Sequence, residues 1–325
     1  EKKLYELIWK RTIASQMAEA ELEKTSIFIN ISGSNYQFVA TASNSAGLVL
    51  ADVKSFSTHP TPSVLYVATN GNDTAGTDWT TAYTNPQTAF DIAEAGDTIY
   101  LAGHTFSNAP EFAQTDIWTL QSKSNVVVLG GYAATNDLAL PGANDPTLWP
   151  TRLLRSSGNP ARILKLSNLT NCWVDGLTLS GGYSSGGGGQ SGLGTYINNS
   201  TGLTLSQCII SNISLSGVGS SYGAVYLIGS SVLMSNCVVD TVSSWNGANG
   251  GPNYSGGLFL NTGVLTLYGS MVRNCVVGSQ NSGPTYGGGL YVNTSARLLM
   301  QRTALRLNRV DNTGGLGYGG ALCNG

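Results

Sequence analysis

Apolar and polar positions change rhythm twice along this chain. In the first two dozen residues Leu4, Tyr5, Ile8, Trp9, Thr12, Ile13 and Met17 recur three and four apart. That spacing gathers them on one face of a helix over about residues 3–24, with most charges opposite. Ser26 to Ile31, a turn at Ser32-Gly33-Ser34-Asn35, and Tyr36 to Ala40 then predict a β-hairpin, because Gly and Asn accept the turn geometry. Residues 43–62 keep neither rhythm, and His59-Pro60-Thr61-Pro62 biases them toward an extended linker. From Leu65 onward, short runs of strand length alternate with turns rich in Gly, Ser and Asn. One more helix is signalled, from Pro86 to Ala95, with Phe90 and Ala93 three apart and Gly96 set to cap its C-terminus.

The runs repeat. Tyr254-Ser255-Gly256-Gly257-Leu258-Phe259-Leu260 returns as Tyr286-Gly287-Gly288-Gly289-Leu290-Tyr291-Val292 and as Tyr318-Gly319-Gly320-Ala321-Leu322-Cys323, 32 residues apart each time; an earlier copy is Gly223-Ala224-Val225-Tyr226-Leu227. A second set, Asn171-Cys172, Gln207-Cys208, Asn236-Cys237 and Asn274-Cys275, is spaced by 36, 29 and 38 residues. It predicts one column of cysteines on successive coils, separated by loops of unequal length. Periods of this size with several short strands and no helical pattern predict a mainly β solenoid. In a parallel β-helix each coil has about three short strands, and equivalent residues stack at ~4.8 Å. Uncharged Ser, Thr and Asn suit such stacking, since a charge would sit over its own copy. Between Ser167 and Val272 the only formal charges are Asp175 and Asp240. One connection per coil is long and Gly-rich (SLSGVGSSYG, SSWNGANGGPNYSG, SQNSGPTYGG, NTGGLGYGG), and these should align on one face.

Three strings resemble known families. EKKLYELIWKRTIASQMAEAELEKTSIFINISGSNYQFVAT, within residues 1–42, resembles a segment that follows the catalytic tyrosine in bacterial type IA DNA topoisomerases; the TYPRTD-like motif and acidic Mg²⁺ cluster of that family are not in this chain. The resemblance implies a fragment without the activity, joined to the rest as a chimera. YVATNGNDTAGTDWTTAYTNPQTAFDIAEAGDTIYLAG and GGYAATNDLALPGANDPTLWPTRL are similar to segments of secreted right-handed parallel β-helix proteins of the pectin-lyase-like superfamily. They imply that handedness, with the short helix covering the open end of the solenoid. The GG-containing repeats resemble those of polymorphic outer-membrane adhesins, whose FxxN partner motif survives as Met271-Val272-Arg273-Asn274 and Leu305-Arg306-Leu307-Asn308. The expected organisation is a topoisomerase-like helix-hairpin (1–42), a linker (43–62), a capping segment with the first coils (63–170), and regular coils (171–325) cut short at the C-terminus.

Composition narrows the function classes. Charged residues make up 10% of the 325, and Gly numbers 42, against roughly 25% charged and ~7% Gly in ordinary globular domains. This excludes a coiled coil and a charged disordered chain. The net charge of -2 gives no electrostatic footprint for nucleic acid, and no run of about 18 apolar residues marks a membrane span. A monomer at the cell surface or outside the cell is expected.

Candidate chemistry is sparse. Glycoside hydrolysis needs paired carboxylates within reach of substrate, and Asp175 and Asp240 are isolated, so no catalytic residue is assigned. Asp73 and Asp78 with Asn70 and Asn72 present oxygen atoms of the kind Ca²⁺ takes, the competing reading being a plain turn. Five Cys without a CxxC, and only His59 and His104, do not suggest zinc. The binding candidates are Tyr254, Tyr286 and Tyr318, in step with the repeat, Trp245 in the longest loop, and Arg273, Arg302 and Arg306 in the last coils. Tyrosines in such a stripe supply contact area for sugar rings or a protein partner, or pack as a ladder against themselves. The expected function is non-catalytic adhesion, or binding of a polysaccharide or surface protein. The alternatives are a pectin-lyase-like lyase or hydrolase, and an inactive topoisomerase fragment.

Overall fold

The computed structural model describes residues 6, 8, 9, 24–32, 35–44, 47–50 and 54–57, and residues 63–325 apart from 109–114, 136–140, 186–189, 218–219, 247–251, 280–282 and 314. The chain divides into two units, Glu1–Thr61 and Pro62–Gly325.

In the first unit Lys24–Ser32 and Asn35–Asn44 form the expected antiparallel hairpin. The second strand pairs onward with Gly47–Leu50 and with Lys54–Ser57. Both of these strands lie within 43–62, the segment expected as a linker. They complete a four-stranded sheet, since a lone hairpin leaves both strand edges without partners. Most of the helix expected over 3–24 lies outside the described residues; residues 6, 8 and 9 are helical.

The second unit is a parallel β-solenoid. Its first face stacks eight described strands, from Val64–Val67 through Thr98–Ala102, Val127–Tyr132, Trp173–Asp175, Leu203–Ser206, Ser230–Ser235 and Gly263–Tyr268 to Ala296–Gln301. The second face includes Ile209–Gly217, Val238–Asn246 and Met271–Ser279, paired in parallel register. A third runs from Thr115–Gln121 through Ala161–Ser167, Thr195–Asn198, Val225–Ile228, Leu258–Leu260 and Leu290–Val292 to Leu322–Asn324. A column of two- and three-residue strands, among them Ser221–Tyr222, Asn253–Ser255, Thr285–Tyr286 and Gly317–Tyr318, sits between second and third. Within a coil the alternate residues point inward, so each apolar side chain lies on its counterpart one coil away. Ile197, Leu227, Leu260 and Val292 form one such row, and Leu205, Met234 and Leu267 another, all buried.

Corners are made by left-handed residues. Gln207, Asn236, Gly269 and Arg302 share one corner, with φ of 49°, 52°, 59° and 51°; Asn212, Thr241, Asn274 and Leu307 share another, where the long strands bend. Asn tolerates this region better than most side chains. These corners overturn the single cysteine column. Ile209 pairs with Val238, so Cys208 and Cys237 are true neighbours; Cys275 pairs with Val242 on the far side of the second corner, and Cys172 opens the first face. Each Asn-Cys or Gln-Cys is a corner residue followed by the first small inward residue. The motif marks a corner rather than one particular corner, and only the spacing of 29 equals a coil.

The Gly-Gly repeats record close approach of successive coils. A Cβ on Gly257 would lie 2.4 Å from the Gly289 carbonyl oxygen, and one on Gly288 2.3 Å from that of Gly320.

At the N-terminal end the helix, α1, is shorter than expected, Pro86–Ile92, with Asn85 capping it through the Gln87 amide. Gly96, expected as its C-cap, instead enters the next strand with φ of 93°. The helix stops early because Lys123 Nζ donates to the carbonyls of Asp91 and Ala93 (2.8 and 2.6 Å), while the Asp97 carboxylate accepts from Glu94 N–H. Ala89 and Phe90 join the solenoid core. The Gln87 side-chain amide donates to Thr119 O and accepts from Thr119 N–H (2.9 and 2.7 Å), standing in for a neighbouring strand.

Two outcomes are expected. Gly257→Ala or Gly288→Ala should destabilise the unit by about 1–3 kcal/mol or more, because backbone rather than a flexible side chain must yield; denaturant unfolding of each variant checks this. Cys172, Cys208, Cys237 and Cys275 are buried and Cys323 is partly exposed, burial pushing the Cys275 thiol up to about 12. A thiol-reactive dye should therefore label Cys323 first in the native protein and the other four only on unfolding.

Candidate functional site

The repeated tyrosines do come together. Tyr222, Tyr254, Tyr286 and Tyr318 stack one per coil, their ring centroids 5.3, 5.4 and 5.1 Å apart and tilted by no more than 14°. Beside them on the third face Tyr196, Tyr226, Phe259 and Tyr291 make a second stack, at 5.2, 5.3 and 5.2 Å. The stacks meet edge to face. Tyr222 lies 5.0 Å from Phe259 at 74°, and Tyr254 lies 5.3 Å from Tyr291 at 66°. Each stacked pair adds about 0.5–1.5 kcal/mol beyond area burial. Within each stack the ring faces are taken up by neighbours one coil away, so solvent meets edges and hydroxyls. Tyr318 is 42% exposed, whereas Phe259 and Tyr291 are buried. An amide row flanks the second stack: Asn261 Nδ2 donates to Tyr226 Oη (2.9 Å), and Asn293 Nδ2 to Asn261 Oδ1 (2.8 Å). Sequence reading missed Tyr222 and the whole second stack. Its signal lay in the last aromatic position of each repeat, Tyr226, Phe259 and Tyr291, but which rings touch depends on register.

One charged group sits at the head of the stripe. The Arg162 guanidinium lies 4.4 Å from the Tyr196 ring centroid and pairs with Asp116, which is also 3.4 Å from Lys165 Nζ. Lys165 is in register with Tyr196, so this cluster occupies the coil position preceding the first ring.

The other predicted residues lie elsewhere. Arg273 pairs with Asp240 at 2.8 Å on the second face, and Arg306 stacks in register on Arg273. Arg302 is a corner residue that donates to Tyr268 Oη (3.1 Å). The Trp245 ring lies against Gly278 of the next coil, where an added Cβ would come within 2.7 Å of it. These four residues therefore belong to different strands and columns from the two ring stacks.

The remaining polar candidates are committed locally. Asp175 is buried, not solvated in a turn; it accepts from Ser206 Oγ and from Gln207 Nε2 (3.3 Å). Asp73 accepts from Thr84 N–H and Oγ1 (2.6 and 2.7 Å), and Asp78 from Thr81 N–H and Oγ1 (2.7 and 3.0 Å). Hydroxyl bonding to Asp73, and the Thr81 bonds to Asp78, hold both carboxyls below the usual range. That is turn chemistry. Among the described residues no group of three or more His, Cys, Asp or Glu is placed to hold a metal ion. His104 Nδ1 accepts from Thr69 N–H, and burial pushes its pKa down. No helix among the described residues is long and apolar enough to cross a membrane.

No family model and no curated protein matches the chain. Among solved structures it is similar to an alginate lyase from Paenibacillus sp. str. FPU-7 (13% identity over 73% of this chain and 95% of that one, TM-score 0.28). It is also similar to the pectate lyase Pel9A (12%, 76% and 79%, TM-score 0.27) and to a Yersinia enterocolitica Family 28 exopolygalacturonase (12%, 86% and 72%, TM-score 0.20). Scores this low carry no inference about activity. The solenoid rests on the strand pairing described above.

Burial pushes the phenols of Tyr226, Tyr254 and Tyr291 above their ordinary value of 10.0. The folded state thus favours their neutral form. The stability they contribute is complete below pH 10 and is lost as pH rises through their folded values. In an alkaline titration followed by ultraviolet absorbance, this subset should ionise above the exposed tyrosines, with falling thermal stability over the same range.

Proposed function

We propose that the chain is a non-catalytic β-helix protein of the cell surface or extracellular space that holds an extended ligand along its aromatic stripe. The observation that carries the reading is the stripe itself: eight rings in two registered stacks, continuous from coil to coil. Rigid aromatic edges bearing hydroxyls provide contact area at little cost in side-chain entropy, because the rings are already ordered by their neighbours. The state of the coil carboxylates supports a role without catalysis. A general acid or base must reach the substrate, whereas Asp175 is buried under Ser206 and Gln207, and Asp240 is held by Arg273, Asn274 and Thr241. The weakly charged composition and the resemblance of the repeats to surface β-helix proteins support an extracellular setting.

The test is a screen of the whole chain against acidic and neutral polysaccharides, with and without Ca²⁺, reading both retention and new reducing or unsaturated ends. Retention without new ends is expected, and Tyr254→Ala with Tyr286→Ala should weaken it at least tenfold, about 1.4 kcal/mol. New chain ends from the purified protein would replace this reading with a degradative one. Asp116, Arg162 and Lys165 would then be the first residues to substitute.

A further inference from the structure

The segments that build and flank the stripe, residues 190–202, 220–231, 252–263, 283–296 and 315–325, contain no Asp, Glu, Lys or Arg. The charges of the regular coils fall on other strands: Asp240, Arg273 and Arg306 on the second face, Asp175 and Arg297 on the first, Arg302 at a corner, and Arg309 with Asp311 beyond the bend. At the head of the stripe, Asp116 already pairs with Arg162 and lies beside Lys165. The stripe is also periodic. The same ring contact recurs at 5.1–5.4 Å along the solenoid, tyrosine hydroxyls recur with it throughout the first stack, and Asn261 and Asn293 add amides on two successive coils.

A surface with translational repeats is matched best by a ligand with translational repeats, since each unit then makes the same contacts as the last. An irregular protein surface could satisfy one coil at a time. A ligand carrying one charge per unit would bring a row of like charges onto a face whose segments offer no counter-charge beyond the Arg162, Asp116 and Lys165 cluster at its head, and would lose hydration without compensation. Hydroxyl-bearing units lose little, because the phenol and amide rows supply donors and acceptors in the same cadence.

From these two properties, the geometry points to a neutral, hydroxyl-rich polysaccharide lying along the solenoid axis over the tyrosine stripe, in preference to an acidic one. This rests on the stripe being the binding surface, as proposed above. Binding should then depend little on ionic strength, because screening acts on charges and the stripe's own segments carry none.

Affinity electrophoresis of the whole chain tests it, in gels carrying hydroxyethyl cellulose or mannan on one side and polygalacturonate or alginate on the other, each at low and high salt. Two variants accompany the parent: Tyr222→Phe/Tyr254→Phe/Tyr286→Phe, which keeps the stacking and removes hydroxyls, and Tyr254→Ala/Tyr286→Ala. The expected result is retardation by a neutral polymer, unchanged by salt, and several-fold weaker in the Phe variant, whose unfolding temperature stays near that of the parent. Retardation by acidic polymers alone, falling with salt yet still dependent on the tyrosines, would overturn the neutral assignment and leave the stripe as the binding surface. Retardation indifferent to both variants, or by no polymer, would overturn the stripe reading and this inference with it. In the second case, sedimentation showing dimers that the same variants abolish would identify a second copy of the chain as the occupant.

Discussion

In-register parallel pairing of each coil on the next is the constraint to which the solenoid owes its other features. Once the backbone of one coil is laid on its neighbour, every side chain lies at strand spacing from its counterpart, and the sequence must be acceptable at each position against a near copy of itself. Apolar residues satisfy this inward, as the row of Ile197, Leu227, Leu260 and Val292 shows. Corners must coincide as well, and they do so at Asn, Gln, Gly, Thr, Arg and Leu residues held at positive φ. At close approaches between coils such as Gly257 and Gly288, an added Cβ would run into the backbone of the next coil.

The aromatic stripe is a product of the same rule. A tyrosine repeated once per coil has no choice but to stack, and two such positions on either side of a tight Gly turn pack edge to face. Stacking fixes the rings and consumes their faces, so a ligand meets edges and hydroxyls. Charge cannot be repeated in this manner without cost. The outward column that carries Asp240 follows it with Arg273, which pairs with it, and only then with a second arginine, Arg306. Charges are therefore few, and on the stripe they gather at its head, where Arg162 lies over the Tyr196 ring.

The N-terminal end of the stack needs different chemistry, because the pairing stops there. The short helix α1 buries Ala89 and Phe90 in the core, Gln87 occupies the open edge at Thr119, and Lys123 finishes the helix. Outside the first face, Tyr66, Trp79, Tyr100 and Tyr132 form a small aromatic cluster of their own, tied down by Trp79 Nε1 donating to the Pro141 carbonyl (3.0 Å). Of its rings Tyr66 and Tyr100 are in register on successive coils, and the four meet at angles from 39° to 81°.

Periodicity is a property of the chain, so the repeat of Tyr254, Tyr286 and Tyr318, the short strands between Gly and Asn, and the scarcity of charge were enough to determine a parallel β-solenoid with an N-terminal helix. Register is a property of pairs of coils. Only the tertiary structure decided that Cys208 and Cys237 adjoin while Cys172 and Cys275 lie at other corners, since Asn-Cys reads the same at any corner. It alone decided that residues 43–62 supply strands, because a four-residue segment becomes a strand only when an edge is waiting for it. It also separated the arginines and Trp245 from the tyrosines and placed Tyr196, Tyr226, Phe259 and Tyr291 beside them. Proximity across a coil depends on where each corner turns, and a linear spacing does not contain that.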